Sequence, residues 1–141
     1  MAQFKLRRLW EDSDGMVQIE LSASNGLQST IQDFFAYPDD IEAFGESLAS
    51  YFPKLGEGEV TFKCGDEAEK IYSYVFVKAF YITASNTGLL IQTNNNKVGH
   101  QSALSRFCIE STLHEVNQLG VQISRWAKAM HEPMICEIQP A

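Results

Sequence analysis

The sequence predicts an α+β fold in which an antiparallel sheet of about seven or eight strands carries two amphipathic helices. Apolar and polar residues alternate in several short runs, a helical period appears in two stretches, and turn-sized polar segments connect these elements. The 141 residues match the usual length of one domain, so we expect residues 1–141 to form a single globular domain. With 45% hydrophobic residues, the chain can build a packed core.

The first three elements are predicted to be strands of an antiparallel meander. Apolar and polar residues alternate over residues 4–10 and 16–22, and residues 13–15 between them have the composition of a tight turn. A third strand is expected over about residues 28–36, because the preceding Asn25-Gly26 pair tolerates a positive φ and is typical of a hairpin turn.

A change to a helical period marks the first helix. Pro38 presets a helical φ, and Asp39 and Asp40 suit the positive end of the helix dipole. We expect this helix to end near Pro53. Its apolar stripe comprises Ile41, Phe44, Leu48 and Phe52.

Four strands, a second helix and a last strand are predicted in the remainder. The strands lie near residues 60–64, 71–84, 89–93 and 102–111, and the second of them should be central in the sheet because only Lys78 is charged. The second helix runs from Ser111 or Thr112 to Pro133, and residues 134–138 return to the sheet. The apolar stripe of the second helix comprises Leu113, Val116, Leu119, Ile123, Trp126, Ala127 and Met130. We expect burial of Phe44, Leu48, Leu119, Ile123 and Trp126.

The cysteines and hydropathy indicate a protein of the cytoplasm. No apolar run is long enough for a membrane span, and the basic N-terminal segment lacks the apolar stretch of a signal peptide. Cys64, Cys108 and Cys136 are odd in number and widely spaced, which argues against a disulfide framework or a zinc site. Each lies beside apolar residues in a predicted strand, so we expect all three to be reduced and buried in the core.

No set of residues predicts an enzyme, a cofactor or a metal site. His100, His114 and His131 have no spacing that places two of them on one helical face with a carboxylate base. The sequence lacks a Gly-x-Ser-x-Gly nucleophile turn and a glycine-rich phosphate loop. A pair of glycosidase carboxylates could come from Asp66, Glu67 and Glu69, but an acidic run in a loop is usually solvated.

Acidic residues are concentrated in one part of the chain. The formal charge is −7, which disfavours nucleic-acid binding, and residues 9–69 carry fourteen acids against only two cations. This segment would steer a cationic protein toward the first helix and its flanking loops, although a solvated surface that only aids solubility would have the same composition. The candidate partner-binding residues are Asp39, Asp40, Glu42, Glu46, Glu57, Glu59, Asp66, Glu67 and Glu69.

Four short motifs carry a resemblance to a known family. They are Phe35-Ala36-Tyr37-Pro38-Asp39-Asp40-Ile41 followed by Phe44-Gly45, then Tyr72-Ser73-Tyr74-Val75-Phe76-Val77, then Ser105-Arg106-Phe107, and Asn117-Gln118-Leu119-Gly120 before Trp126. Over roughly residues 30–126 the chain resembles small bacterial proteins that overlap the immunity proteins of polymorphic and contact-dependent toxin systems, of the kind paired with wall-associated nuclease toxins. The resemblance implies a cytoplasmic protein that binds a cognate toxin and blocks it without turnover.

Two other classes of function remain open at the level of sequence. The aromatic sheet face could belong to a small-molecule or regulatory binding module, or the chain could be an enzyme of an unfamiliar kind. A deep pocket with converging polar groups would favour these classes, whereas a basic partner encoded by the neighbouring gene would favour immunity. The acidity of the chain agrees with immunity, because a nuclease that holds phosphates needs a cationic surface, which an acidic protein would attract.

Overall fold

The computed structural model describes residues 1–53, 58–65 and 73–139. In these ranges two helices and eight strands follow one another in the predicted order. The strands are β1 (Ala2–Glu11), β2 (Val17–Ser24), β3 (Ser29–Ala36), β4 (Glu59–Cys64), β5 (Tyr74–Tyr81), β6 (Asn86–Asn94), β7 (Leu104–Thr112) and β8 (Met134–Ile138). The helices are α1 (Pro38–Ala49) and α2 (Leu113–Ala127). Neither of these helices combines the length and apolar character needed to cross a lipid bilayer.

The α+β class is confirmed, but the strands form two antiparallel sheets rather than one. The first sheet has the order β3-β2-β1-β8 and the second has the order β4-β5-β6-β7. Each sheet is built around hairpin-connected neighbours, and α1 separates the two groups of strands in the chain. The last strand then returns to pair with β1, at the edge opposite β3. β5 has a strand on both sides, as the central position predicted for it requires.

The inward faces of both sheets and the apolar stripes of both helices share one core. The five side chains expected to be buried are confirmed as such, with none more than 8% exposed. The place of Phe52 on the stripe of the first helix is wrong, because α1 ends at Ala49 and Phe52 is 71% exposed. The backbone N–H groups of Ser50 and Tyr51 bond to carbonyls of the last turn, which closes the helix three residues before Phe52.

Only one of the three cysteines has the burial that the sequence suggested. Cys136 is buried, Cys64 is half-buried, and Cys108 is exposed. The strand period explains the exception, because Phe107 and Ile109 face the core and Cys108 must therefore face outward.

The two helices cross at a pair of glycines. A Cβ atom on Gly45 would lie 2.9 Å from the carbonyl oxygen of Gly120, and one on Gly120 would lie 2.3 Å from the backbone nitrogen of Ala49. The Nδ2 group of Asn117 on α2 donates hydrogen bonds to the carbonyls of Leu48 (2.8 Å) and Tyr51 (3.1 Å), at the end of α1. Contacts between backbones and the amide of Asn117 therefore fix α1 against α2.

Trp126 holds the connection between α2 and β8. Its ring is buried in the core, and its Nε1–H donates a 2.7 Å hydrogen bond to the carbonyl of Glu132. Met130, buried between these two residues, has a φ of 55°, which turns the chain back toward the sheet. The indole thus satisfies a loop carbonyl while it fills the core.

We expect the helix crossing to reject even one methyl group. Alanine favours a helix over glycine by about 1 kcal/mol, so Gly120→Ala would stabilise α2 if there were room for the Cβ atom. Because there is none, we expect a net loss of about 1–2 kcal/mol in the free energy of unfolding. Urea denaturation measures it, with the exposed α2 substitution Gln118→Ala as the control. A more stable Gly120→Ala protein would contradict the close crossing.

Removal of the indole at position 126 should be among the most damaging single changes. Trp126→Ala leaves a cavity in the core and frees the carbonyl of Glu132, so we expect a loss of about 3–5 kcal/mol. Thermal unfolding followed by circular dichroism provides the measurement. A melting temperature equal to that of the unchanged protein would show that α2 does not pack as described.

Candidate partner-binding site

The outward face of α1 presents carboxylates to solvent. Asp39 and Asp40 lie in the first turn, where the helix dipole favours negative charge, and both are exposed. Glu46 is exposed two turns further on. Within the described ranges, no cation lies at ion-pair distance from any of these three carboxylates. No described cation therefore stands between these carboxylates and a partner.

Glu42 differs from its helical neighbour Glu46. The sequence places both off the apolar stripe of α1, but Glu42 is half-buried and its Oε1 lies 3.9 Å from the Nζ of Lys128, just after α2. This pair joins the ends of the two helices and partly neutralises Glu42. Glu46 is consequently the cleaner residue with which to probe the charge of this face.

Glu59 lies on the second sheet, near the C-terminal end of α1. Its Oε2 is 3.7 Å from the Nζ of Lys78, which also lies 5.8 Å from the centre of the Phe80 ring. Tyr51 links α1 to this strand, since its hydroxyl donates a 2.7 Å hydrogen bond to the carbonyl of Gly58. Burial, followed by the charge of Glu59, raises the pKa of Tyr51 above its ordinary value.

The other predicted partner-binding residues lie outside the described part of the chain. They are Glu57, Asp66, Glu67 and Glu69. The structure therefore brings together Asp39, Asp40, Glu42 and Glu46 on α1, with Glu59 on the neighbouring strand.

A groove between α1 and β4 lies beside these carboxylates. Its volume is about 400 Å³. The wall formed by α1 includes Asp40, Ala43 and Ser47, and the opposite wall is residues 61–64 of β4. Sequence reasoning missed the groove, because it exists only through the placement of two elements that are separate in the chain. The small side chains at positions 43 and 47, one helical turn apart, were the available signal.

Aromatic rings form the apolar surface of the groove. Phe62 lies 5.3 Å from Phe44 of α1 and 5.8 Å from Phe34 of β3, measured between ring centres. Phe35 and Met16 complete the apolar lining. Because Phe62 packs against both α1 and the first sheet, the surface is held in place before any partner arrives.

The two sheets meet at one end of the groove. The Sγ of Cys64 donates a hydrogen bond to the carbonyl of Phe35, over 2.7 Å, and burial raises the pKa of this thiol. Gly65 follows with a φ of 82°, and a Cβ atom there would lie 2.2 Å from the carbonyl oxygen of Ser73. A further cavity of about 360 Å³ continues beyond this point, along Met16 and Phe35.

The described residues show no catalytic arrangement around the groove. His100, His114 and His131 are all exposed, in a short turn before β7, at the start of α2 and after α2 respectively. In the same ranges, no three His, Cys, Asp or Glu side chains form a group that could hold a metal ion. The groove offers the carboxylate of Asp40, the polar side chains of Ser47, Thr61 and Lys63, and an apolar contact area.

The thiols should react with iodoacetamide in the order of their exposure. We expect Cys108 to be alkylated first and the half-buried Cys64 later, because burial of Cys64 raises its pKa and leaves less thiolate near pH 8. The rate at Cys64 should keep rising at higher pH. Mass spectrometry of peptides after timed quenching measures the order, and Cys108→Ser is the control. Faster alkylation at Cys64 than at Cys108 would contradict the described packing.

The site is thus a charged helix face with an apolar groove along its side. Its parts come from α1, β4 and the end of β3, and the helix crossing at Gly45 and Gly120 fixes their placement. The chain was compared with protein-family models, with curated proteins and with solved structures, and none of the three comparisons found a match.

Proposed function

We propose that this protein is a cytoplasmic immunity-type protein, which binds and neutralises a basic, nuclease-like toxin without catalysis. The observation that supports this function best is the outward face of α1. Asp39, Asp40 and Glu46 are exposed there without a described cationic partner, and an apolar groove runs beside them. The resemblance of four sequence motifs to immunity proteins points to the same function.

The charge of this face suits an inhibitor of a nuclease. A nuclease must present Lys and Arg side chains to hold phosphates, and a helix with exposed carboxylates offers the same sign of charge as the nucleic acid. Opposite charges accelerate the encounter of two proteins over distances of about one Debye length, roughly 8 Å at physiological salt. The carboxylates of α1 therefore set how fast the partner arrives.

The groove supplies apolar contact area, which exposed carboxylates alone lack. Exposed ion pairs contribute little to affinity, whereas apolar side chains that enter a desolvated pocket account for most of it. Phe35, Phe44 and Phe62 provide such a surface directly beside Asp40. A partner that covers both features would bind quickly through the charge and dissociate slowly because of the apolar contact.

A small-molecule binding module is the second candidate, and the size of the groove favours it. Ligand pockets commonly have volumes of about 300–1,000 Å³, and about 400 Å³ lies within that range. The two functions differ in what occupies the groove. A small ligand that saturates the groove and raises the melting temperature would favour the module, whereas protection of cells from a toxin would favour immunity.

Growth protection tests the immunity function directly. The probe is the C-terminal domain of a large secreted protein, if one is encoded beside this gene, expressed from an inducible promoter in a host with or without this chain. We expect cells that make this chain to survive induction, and the two proteins to copurify. Equal killing in both strains, with no complex on a sizing column, would overturn the proposed function.

A single charge reversal tests the role of the face of α1. Glu46→Lys should leave the fold intact, because this side chain is exposed and has no described ionic partner. We expect the association rate constant with the toxin domain to fall about fivefold and its salt dependence to weaken, since exposed charges act mainly on the encounter. Surface plasmon resonance at several salt concentrations measures both quantities.

The matched control for this test is Glu137→Lys, an equal charge change at an exposed position of β8. It alters the net charge by the same amount on another element. If both variants slow association equally, the effect comes from net charge alone and the binding face lies elsewhere than α1.

A further inference from the structure

One wall of the groove is the edge of a β-sheet. Among the described strands, β4 is the outermost of the second sheet, and it pairs with β5 alone. Among the described residues, no hydrogen bond reaches the backbone of residues 59–64 apart from those of the ladder with β5. An edge strand in this state presents a row of backbone donors and acceptors to whatever enters the groove.

The other sheet edges each carry at least one side-chain hydrogen bond or are short. On β3, the carbonyls of Phe35 and Asp33 accept hydrogen bonds from the side chains of Cys64 and Ser73. On β7, the carbonyl of Cys108 accepts a hydrogen bond from the Nδ2 group of Asn25, over 3.1 Å. β8 has only five residues. No side-chain cap to the backbone of β4 is found among the described residues, and residues 61–64 of this strand line the groove.

The two walls of the groove have the same length. Residues 61–64 of β4 extend over about 10 Å at roughly 3.3 Å per residue. The lining positions 40–47 of α1 extend over about 10 Å as well, at 1.5 Å per residue. A straight groove with a strand edge on one side and a helix on the other matches the shape of an extended chain rather than that of a compact ligand.

We propose that the groove binds an extended segment of the partner, which pairs with the edge of β4 as a fifth strand of the second sheet. Alternate side chains of this segment are apolar and contact Phe35, Phe44 and Phe62. Basic side chains between them lie along the rim, near Asp39 and Asp40. This inference rests on the proposed function, since it assigns the segment to the same basic partner.

The charges beside the groove specify the basic character of the segment. Asp40 lines the α1 wall, and Asp39 and Glu46 are next to lining positions in the sequence of the same helix, against Lys63 on the β4 wall. The excess of carboxylates favours a cationic segment, and Lys63 restricts it by repelling a cation placed directly above β4. The main-chain pairing supplies affinity that does not depend on sequence, and the aromatic surface selects the apolar side chains.

A synthetic peptide tests the groove independently of any toxin. The probe is acetyl-Arg-Val-Arg-Phe-Arg-Val-Arg-amide, titrated to about 1 mM into the ¹⁵N-labelled protein. We expect shifts of the backbone amides of residues 61–64 and 40–47, and slower hydrogen exchange at the edge of β4. The same peptide with Pro in place of both Val residues should bind at least tenfold more weakly, since it loses strand donors. The peptide with Glu in place of Arg should also bind more weakly.

A blocked groove provides the matched variant. Ala43 is exposed and lines the groove, so Ala43→Trp fills it without entering the core, and we expect at least a tenfold loss of peptide affinity. Ala84→Trp places the same side chain on an exposed loop and should bind normally. Circular dichroism establishes that both variants are folded.

Several outcomes would overturn the inference. They are unchanged spectra at the highest peptide concentration, shifts confined to β7 or β8, and equal binding of the peptide to Ala43→Trp. Dimers of this chain, detected by light scattering and with their interface at the groove, would also overturn it. Failure of growth protection with successful peptide binding would overturn the proposed function and leave the groove assignment standing. A toxin complex that forms without slower hydrogen exchange of the β4 amides would overturn the groove assignment and leave the proposed function standing.

Discussion

The structure depends on the close crossing of α1 and α2. Gly45 and Gly120 bring the two backbones together, and the amide of Asn117 closes the end of α1 by bonding to Leu48 and Tyr51. Because α1 is held in this position, its apolar stripe faces the core and its side lies along β4. The position of α1 along the groove therefore depends on how closely the two helices approach.

The order and type of the elements could be predicted because each has a local signature. Alternation defined the strands, and Pro38 with the acidic first turn defined the start of α1. The division into two sheets could not be predicted, since alternation shows which side of a strand is buried and not which strand is its neighbour. The outward direction of Cys108, by contrast, follows from the strand period, because its apolar neighbours Phe107 and Ile109 share the opposite face of β7.

The candidate site was predictable only in its charge. Composition placed the acids around α1, and the structure adds which of them are exposed and which, like Glu42, already have a cation beside them. The groove and the edge of β4 depend on contacts between residues more than twenty positions apart in the chain, such as that of Phe62 with Phe34. The motifs that carry the family resemblance include Gly45, Asn117 and Gly120, which hold the scaffold around that groove.

The pairing of β8 with β1 has a consequence for when the protein can work. Ala2 lies opposite Ile138, so the first sheet is complete only after residue 138 has left the ribosome. α1 likewise lacks its support until α2 has emerged, although its own residues are made much earlier. At about 5–20 residues per second, roughly 4 to 18 s separate the synthesis of Ala49 from that of Ile138. Before α2 has emerged, the nascent chain therefore has no assembled groove with which to bind a partner.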